Sequence, residues 1–324
     1  MTGRQFARYL AMKTGRALFV VWAAFTLTFV LLFVLPADPV DLLFDPAELN
    51  SVPPEVRERT AAGYGFDKPV PVQYADRLGH ALTGDFGTSV HSGRPVTATV
   101  LDVLPSTLVL AVCALALALL LAFAIALVAT ATRHTWVRTL VETVPSGAVS
   151  VPVFLSGILL LQLFSFRLGW FPAFGDSGAA GLVLPVVTLA VPVSGPIAQL
   201  LVRSFATEFR AGYTTTSRAK GATRGAVVVR DVFRNASLPA LTIAGITFGN
   251  LIAGSVITET VFARQGIGRL TQSAINTLDI PLVQGIVVLV AAGFAVINLA
   301  VDLTYPLLDP RLRTTLAAGS PQAA

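Results

Sequence analysis

A single cysteine, Cys113, stands in the 324-residue chain, and it lies inside an apolar run. Neither an internal disulfide nor a thiolate metal site can therefore be built. Histidine is almost as scarce: His80, His91 and His134 are far apart and have no second His, Cys or carboxylate at ligand spacing, so no metal site is expected. Charged residues make up only 13% of the chain, against about 25% in soluble domains. No G-x-x-x-x-G-K-[ST] phosphate loop occurs; Gly221-Ala222-Thr223-Arg224-Gly225 lacks both its length and its ending. The chain is therefore not expected to bind ATP in that mode. What remains is apolar, with 54% hydrophobic residues and a mean hydropathy of +0.73, and its natural solvent is a bilayer. The pI of about 9.8 does not point to nucleic acid, because no basic cluster with aromatics or a known reading motif accompanies it.

Roughly 20 uncharged, mainly apolar residues are needed to cross a hydrocarbon core of about 30 Å as a helix. Six intervals bounded by charge meet that length: Ala17 to Ala37, Val103 to Thr132, Thr143 to Phe166, Ser177 to Val202, Asn235 to Thr258 and Ile280 to Val301. The first follows Arg4, Arg8, Lys13 and Arg16 and so resembles a signal peptide. It is longer than the 7–15 residues of such a segment and ends in Leu35-Pro36-Ala37-Asp38-Pro39, so a retained span is expected.

Basic residues then set the orientation. With a cytoplasmic N-terminus (1–16), the alternating loops place 15 Lys/Arg inside and eight outside. Both termini, including the tail 314–324, are thus expected in the cytoplasm of a cell membrane. The long connection 38–102 faces outward, is rich in acids and prolines, and is expected to hold short elements. Pro53, Pro54 and Glu55, with Gly63 closing, mark one short helix. Its composition suits a surface lid and a docking surface equally. Pro145, Pro152, Pro185, Pro192 and Pro196 are expected to break or kink spans three and four, and Gly245, Gly249 and Gly254 to permit close helix approach.

The span interiors contain no Asp, Glu, His, Lys or Arg, and Asp302 sits at the end of the sixth. An intramembrane enzyme would need a catalytic group there, and a proton-coupled carrier an intramembrane charge. No catalytic residue is expected. If nucleotide drives transport, the energy must arrive through a cytoplasmic contact, and 203–234 is the only cytoplasmic connection large enough to receive it. That connection reads as two helices around a turn: Ser217-Arg218-Ala219-Lys220-Gly221 puts cations in a last helical turn and a glycine just beyond it. From Ala226 to Phe233 an apolar pattern resumes.

These residues resemble a known family. Tyr213-Thr-Thr-Thr-Ser-Arg-Ala-Lys-Gly221 is similar to the cytoplasmic loop Y-[VI]-x-T-A-R-A-K-G of permease subunits of ATP-binding-cassette importers, in the dipeptide/oligopeptide/nickel branch. Arg234-Asn235-Ala-Ser-Leu-Pro239 resembles its R-N-A-L-[IL]-P continuation. Leu35 to Pro39 resembles L-P-G-D-P, Lys68 to Tyr74 resembles P-x-P-x-Q-Y, and Gly84-Asp85-Phe86-Gly87 resembles G-D-[LF]-G. Glu259 to Gly268 resembles E-T-V-F-x-x-x-G-[IL]-G, Asp279 to Gly285 resembles D-x-P-x-V-Q-G, and Asp302 to Arg311 resembles V-D-[LI]-x-Y-x-x-[LI]-D-P-R. Departures are Thr215, Thr216 and Ser217 at the E-A-A positions, Ala37 for glycine, and Ala263-Arg264-Gln265 where Trp-Pro is common.

The resemblance implies an all-α polytopic membrane protein with six transmembrane helices, the type I importer transmembrane-domain fold, whose core permease domain spans 103–313. It implies a homologous second permease, two cytoplasmic ATPase subunits that bind ATP and Mg, an extracytoplasmic solute-binding protein, and a short peptide or similar small solute. Tyr213, Thr215, Thr216, Ser217, Arg218, Ala219, Lys220, Gly221 and Arg224 would couple to the ATPase. Glu259, Phe262, Gly266, Gly268, Asp279 and Pro281 would lie at the outer mouth under the binding protein. Gln162, Gln199, Asn250 and Asn298 are candidate pathway residues that could equally bridge helices.

Overall fold

The computed structural model describes residues 3–34, 52–64, 68–175 and 178–308, and among them every regular element is helical. The Leu35–Pro39 motif, most of the first half of the long outward connection and the tail 314–324 lie outside the described residues. In chain order the helices are α1 (Gly3–Phe29, continued by a π-helical turn Val30–Val34), α2 (Pro54–Tyr64), α3 (Val70–Leu82), α4 (Val96–Ala131), α5 (Thr135–Val149) and α6 (Val153–Leu160, continued by a π-helical turn Leu161–Arg167). They are followed by α7 (Gly178–Phe209), α8 (Gly212–Ala219), α9 (Arg224–Val227), a π-helical turn Val228–Val232, α10 (Phe233–Ala236), α11 (Leu238–Val261), α12 (Ile267–Asn276) and α13 (Ile280–Leu308).

Four stretches are long and apolar enough to cross a bilayer by length and composition: Arg8–Val34, Val96–Ala131, Gly178–Phe209 and Ile280–Ala300. They fall on the first, second, fourth and sixth expected intervals. The fifth is occupied by α11, whose 24 residues extend about 36 Å at helical rise; Pro239 sits in its first turn, where a missing N–H costs nothing. The third interval is not one helix. It divides at Ser150–Pro152 into α5 and α6, because Pro152 has no N–H to donate and its ring keeps Val151 out of the helical region. The other expected breaks do not occur: α7 runs unbroken through Pro185, Pro192 and Pro196. Hydroxyls serve carbonyls in that stretch, Thr188 donating to Leu184 O at 2.8 Å and Ser194 to Val191 O at 2.7 Å. In the outward connection α2 forms with Glu55 in its first turn, and Gly63 lies inside it rather than beyond its end.

The chain divides into two compact units, one built on Ser106–Gly268 and the other on Tyr9–Pro105 with Arg269–Leu299. In the first, α7 is the hub against which α5, α6, α10 and α11 pack. Its Ile197, Leu201 and Phe205, one turn apart, join Ala118, Ala122 and Ala126 of α4 in a single buried cluster with Val227, Val228, Val232, Ala236 and Ala240. Spacing of four puts each trio on one helical face, and the alanines let backbones approach where larger side chains would hold them apart. Gly157 does the same for α6: a Cβ there would stand 3.3–3.4 Å from Val261, Phe262 and Thr188.

In the second unit Phe25, Phe29 and Phe33 of α1 form an aromatic stripe packed with Ile280 and Val288 of α13. Tyr74 of α3 meets Phe25 and Phe29 edge-on, and its hydroxyl lies 2.8 Å from Thr26 Oγ1. The Arg77 guanidinium lies over the Phe33 ring at 4.1 Å, and burial brings its pKa down to about 10. Gly285 carries no side chain because a Cβ would fall 2.2 Å from Val96 Cγ1.

The alanine stripe generates a direct test. Ala122→Leu inserts three carbons at a fully buried position and should lower the stability of the solubilised chain by about 1–3 kcal/mol. Leu120→Ala, at an exposed site on the same helix, should change it little. Thermal unfolding in detergent distinguishes the two, and equal effects would mean that the stripe is not a packing face.

Candidate functional site

The connection 203–234 folds as α8, a tight reversal and the α9–α10 segment. Gly221 has φ +90°, the left-handed region that glycine enters without the Cβ clash of other residues. Ala222 N donates to Ser217 O at 3.2 Å and Gly221 N to Arg218 O at 2.9 Å. This pair of bonds satisfies the last carbonyls of α8 in the Schellman arrangement. Thr223 then caps α9, its hydroxyl accepting from Ala226 N at 3.3 Å.

Side chains tie α8 to the end of α7. The Tyr213 hydroxyl donates to Glu208 Oε2 at 2.6 Å; burial, and then that carboxylate, push the Tyr213 pKa up. Thr214, fully buried, donates to Phe209 O at 2.8 Å. The Arg224 guanidinium stacks over the Phe209 ring at 4.8 Å and donates through Nε to Thr130 O at 2.9 Å, near the end of α4. Thr215, Thr216, Arg218, Ala219, Lys220 and Gly221 are exposed and Ser217 is half-buried. A short helix is thus fixed to α7 by Tyr213 and Thr214 and otherwise mostly exposed, and the α9 that follows it is tied to α4 through Arg224.

The connection between α11 and α13 contains a helix, α12. Its motif residues face inward. Glu259 is 0% exposed, and its carboxylate accepts from Thr107 Oγ1 at 2.6 Å and Gly268 N at 2.7 Å. Ile267 N donates to Thr107 Oγ1 at 2.8 Å, and Arg264 Nη2 to Ser106 Oγ at 3.1 Å. The spacing of the two glycines follows from this knot: a Cβ on Gly266 would stand 2.2 Å from the Glu259 carboxyl carbon, and one on Gly268 would stand 2.2 Å from Val256 Cα. Phe262 is buried with Leu161 and Leu184.

In the second unit Asp279, 1% exposed, caps α13 by accepting from Leu282 N at 3.2 Å, and it also accepts from the Ser89 hydroxyl. Pro281 follows in the first turn and is buried. Side-chain contact with a binding protein is therefore not available to these six residues in this conformation. Among their neighbours Thr260, Gln265, Gln272, Ser273, Ile275, Asn276, Thr277 and Leu278 are exposed.

Of the candidate pathway residues, Gln162, Gln199 and Asn250 are exposed, whereas Asn298 is half-buried and donates to Phe294 O at 2.9 Å in its own helix. Sequence reasoning missed the anchors Thr107, Ser106 and Ser89, and the partners Glu208 and Phe209. The hydroxyls of Ser106-Thr107 directly after Pro105, at the start of an apolar run, were the available signal.

The Glu259 knot predicts a graded response to added methyl groups. Gly268→Ala places a Cβ against backbone and should reduce stability or membrane abundance sharply, by about 3 kcal/mol or more. Gly254→Ala, which meets nothing within 4 Å, should be neutral or stabilising by up to about 1 kcal/mol. Unfolding midpoints of the purified variants give the comparison, and an indifferent Gly268→Ala would contradict the knot.

Comparison with known proteins places this geometry. Residues 114–314 match the family described as binding-protein-dependent transport system inner membrane component. The glutathione transport system permease protein GsiC of Salmonella typhimurium is 36% identical over 287 residues, covering 89% of this chain and 92% of the relative. Its counterpart in Escherichia coli strain K12 is 33% identical with the same coverage. Among solved structures, chains of the MetNI methionine ABC transporter in inward-facing conformations share the fold. They give TM-scores of 0.57 and 0.53 at 17% and 19% identity, covering 65% of this chain and 96% of theirs. The chain belongs to the binding-protein-dependent transport system inner membrane component family: it is the permease subunit of an ATP-binding-cassette importer, a transport subunit rather than an enzyme.

Proposed function

We propose that this permease forms half of the pathway for a short peptide or similar small solute, and that α8 with the Gly221 reversal is the lever through which an ATPase subunit moves it. The observation that carries the proposal is the construction of that segment. One face of α8 is pinned to α7 by Tyr213–Glu208 and Thr214–Phe209, the opposite face is exposed, and a glycine at φ +90° sets the direction in which the chain leaves. A helix pinned to α7 and continued into an α9 that is tied to α4 transmits a push; a solvated loop does not.

The solute class rests on the sequence resemblance and on relatives named for glutathione transport. The remaining partners of this reading are a second permease of similar fold, two cytoplasmic ATPase subunits that hold ATP and Mg, and an extracytoplasmic binding protein. That protein would dock over the exposed residues flanking α12. The excess of Lys/Arg in the loops assigned to the cytoplasm supports inward-facing termini.

Gly221→Val tests the lever. A β-branched residue at positive φ costs about 1–2 kcal/mol and re-aims the backbone that follows. The variant should reach the membrane in normal amount, yet lose solute uptake and ATPase stimulation in the reconstituted importer and recover less ATPase subunit on pull-down. Normal values in all three at normal abundance would sink the assignment.

A further inference from the structure

The charged groups around α8 do more than cover a docking helix. Arg138 of α5, Arg210 after α7, Arg218 of α8 and Arg224 of α9 line one cavity of about 370 Å³, together with Thr130, Thr215 and Phe209. Among the described residues lining it there is no carboxylate. Arg224 answers the end of α4 through Thr130 O. Like charge is concentrated here: burial first, and then Arg133, Arg218 and Arg138, hold the Arg224 pKa below its ordinary value. Arg218 and Arg224 both lie over the Phe209 ring, at 5.8 and 4.8 Å.

We propose that this arginine-lined cavity is a binding site for a phosphate group, supplied by the headgroup of an anionic phospholipid or by a soluble phosphate. Guanidinium forks match phosphate oxygens in pairs, which a compact ammonium cannot do. The cavity also stands where lipid headgroups are. Its walls are the ends of α4 and α7 (Ala129, Thr130, Val202, Ala206). On the adjoining α5, Trp136 is 70% and Leu140 56% exposed beside Arg138, the pattern of a helix lying at a membrane surface. Occupation would tie α5, α7 and α8 together by a ligand that belongs to none of them, making the stiffness of the lever depend on it. The site uses the same segment as the proposed lever but does not require an ATPase, so its test is made on the permease alone.

The test titrates the lipid-stripped full-length chain, in uncharged detergent, with short-chain phosphatidylglycerol, zwitterionic phosphatidylcholine and inorganic phosphate, reading the thermal unfolding midpoint. Phosphatidylglycerol should raise it saturably and phosphatidylcholine much less. Inorganic phosphate gives an equal rise if the natural source is soluble and little if it is lipid, and either pattern supports the site. Arg138→Gln with Arg210→Gln should weaken the apparent affinity at least about tenfold, whereas Arg138→Lys with Arg210→Lys should recover part of it. No response to any probe, as when the cavity is filled only by an ATPase side chain, overturns the proposal, and so does an unchanged affinity in the Gln variant. Should that variant not fold, a photoactivatable phosphatidylglycerol on the wild-type chain decides: adducts concentrated on 129–138 and 202–224 support the site, and adducts spread evenly over the helices overturn it.

Discussion

In hydrocarbon a peptide group has no water to bond, so each helix end must be closed by the protein itself or reach the surface. The architecture of this permease follows from how those ends are closed. Thr223 caps α9, the Gly221 reversal closes α8, Asp279 caps α13, and the buried carboxylate of Glu259 takes the Gly268 amide at the start of α12. The closing groups are also cross-links: Glu259 reaches Thr107 on α4, and Asp279 reaches Ser89 before it. Motif residues that look like surface markers in the sequence therefore hold the turns of the bundle in place.

Packing then makes these ends mechanically useful. The cluster that joins Ile197, Leu201 and Phe205 of α7 to the alanines of α4 continues into Val227, Val228 and Val232 beyond α8. Interiors of this density are stiff, so displacement of the segment after Gly221 is passed to α4 and α7 with little slack. In the proposed reading the short α8, pinned by Tyr213 and Thr214 and otherwise mostly exposed, is where a push from an ATPase would have leverage.

Much of this was legible in the chain. Apolar length located four spans outright, and the Arg218-Ala219-Lys220-Gly221 punctuation located the reversal, because both signals are local. Proline was only half legible. Pro152 splits the third interval into two helices, whereas Pro185, Pro192 and Pro196 sit within a continuous α7, since the outcome depends on whether the flanking backbone is supported by packing. The burial of Glu259 and Asp279 could not be read at all: their partners lie 152 and 190 residues away, and only the fold brings them together. The same holds for the four arginines around the cavity, which reach it from four separate segments.

In the proposed reading the exposed face of α8 meets an ATPase in the assembled importer. A photoreactive amino acid at Thr216, exposed on that face, reads this contact in native membranes without altering Gly221 or the arginines. Irradiation followed by mass spectrometry should yield an adduct with an ATPase subunit, and a probe at the buried Thr214 should yield none. Adducts with lipid alone, or with the ATPase from neither position, would contradict the account.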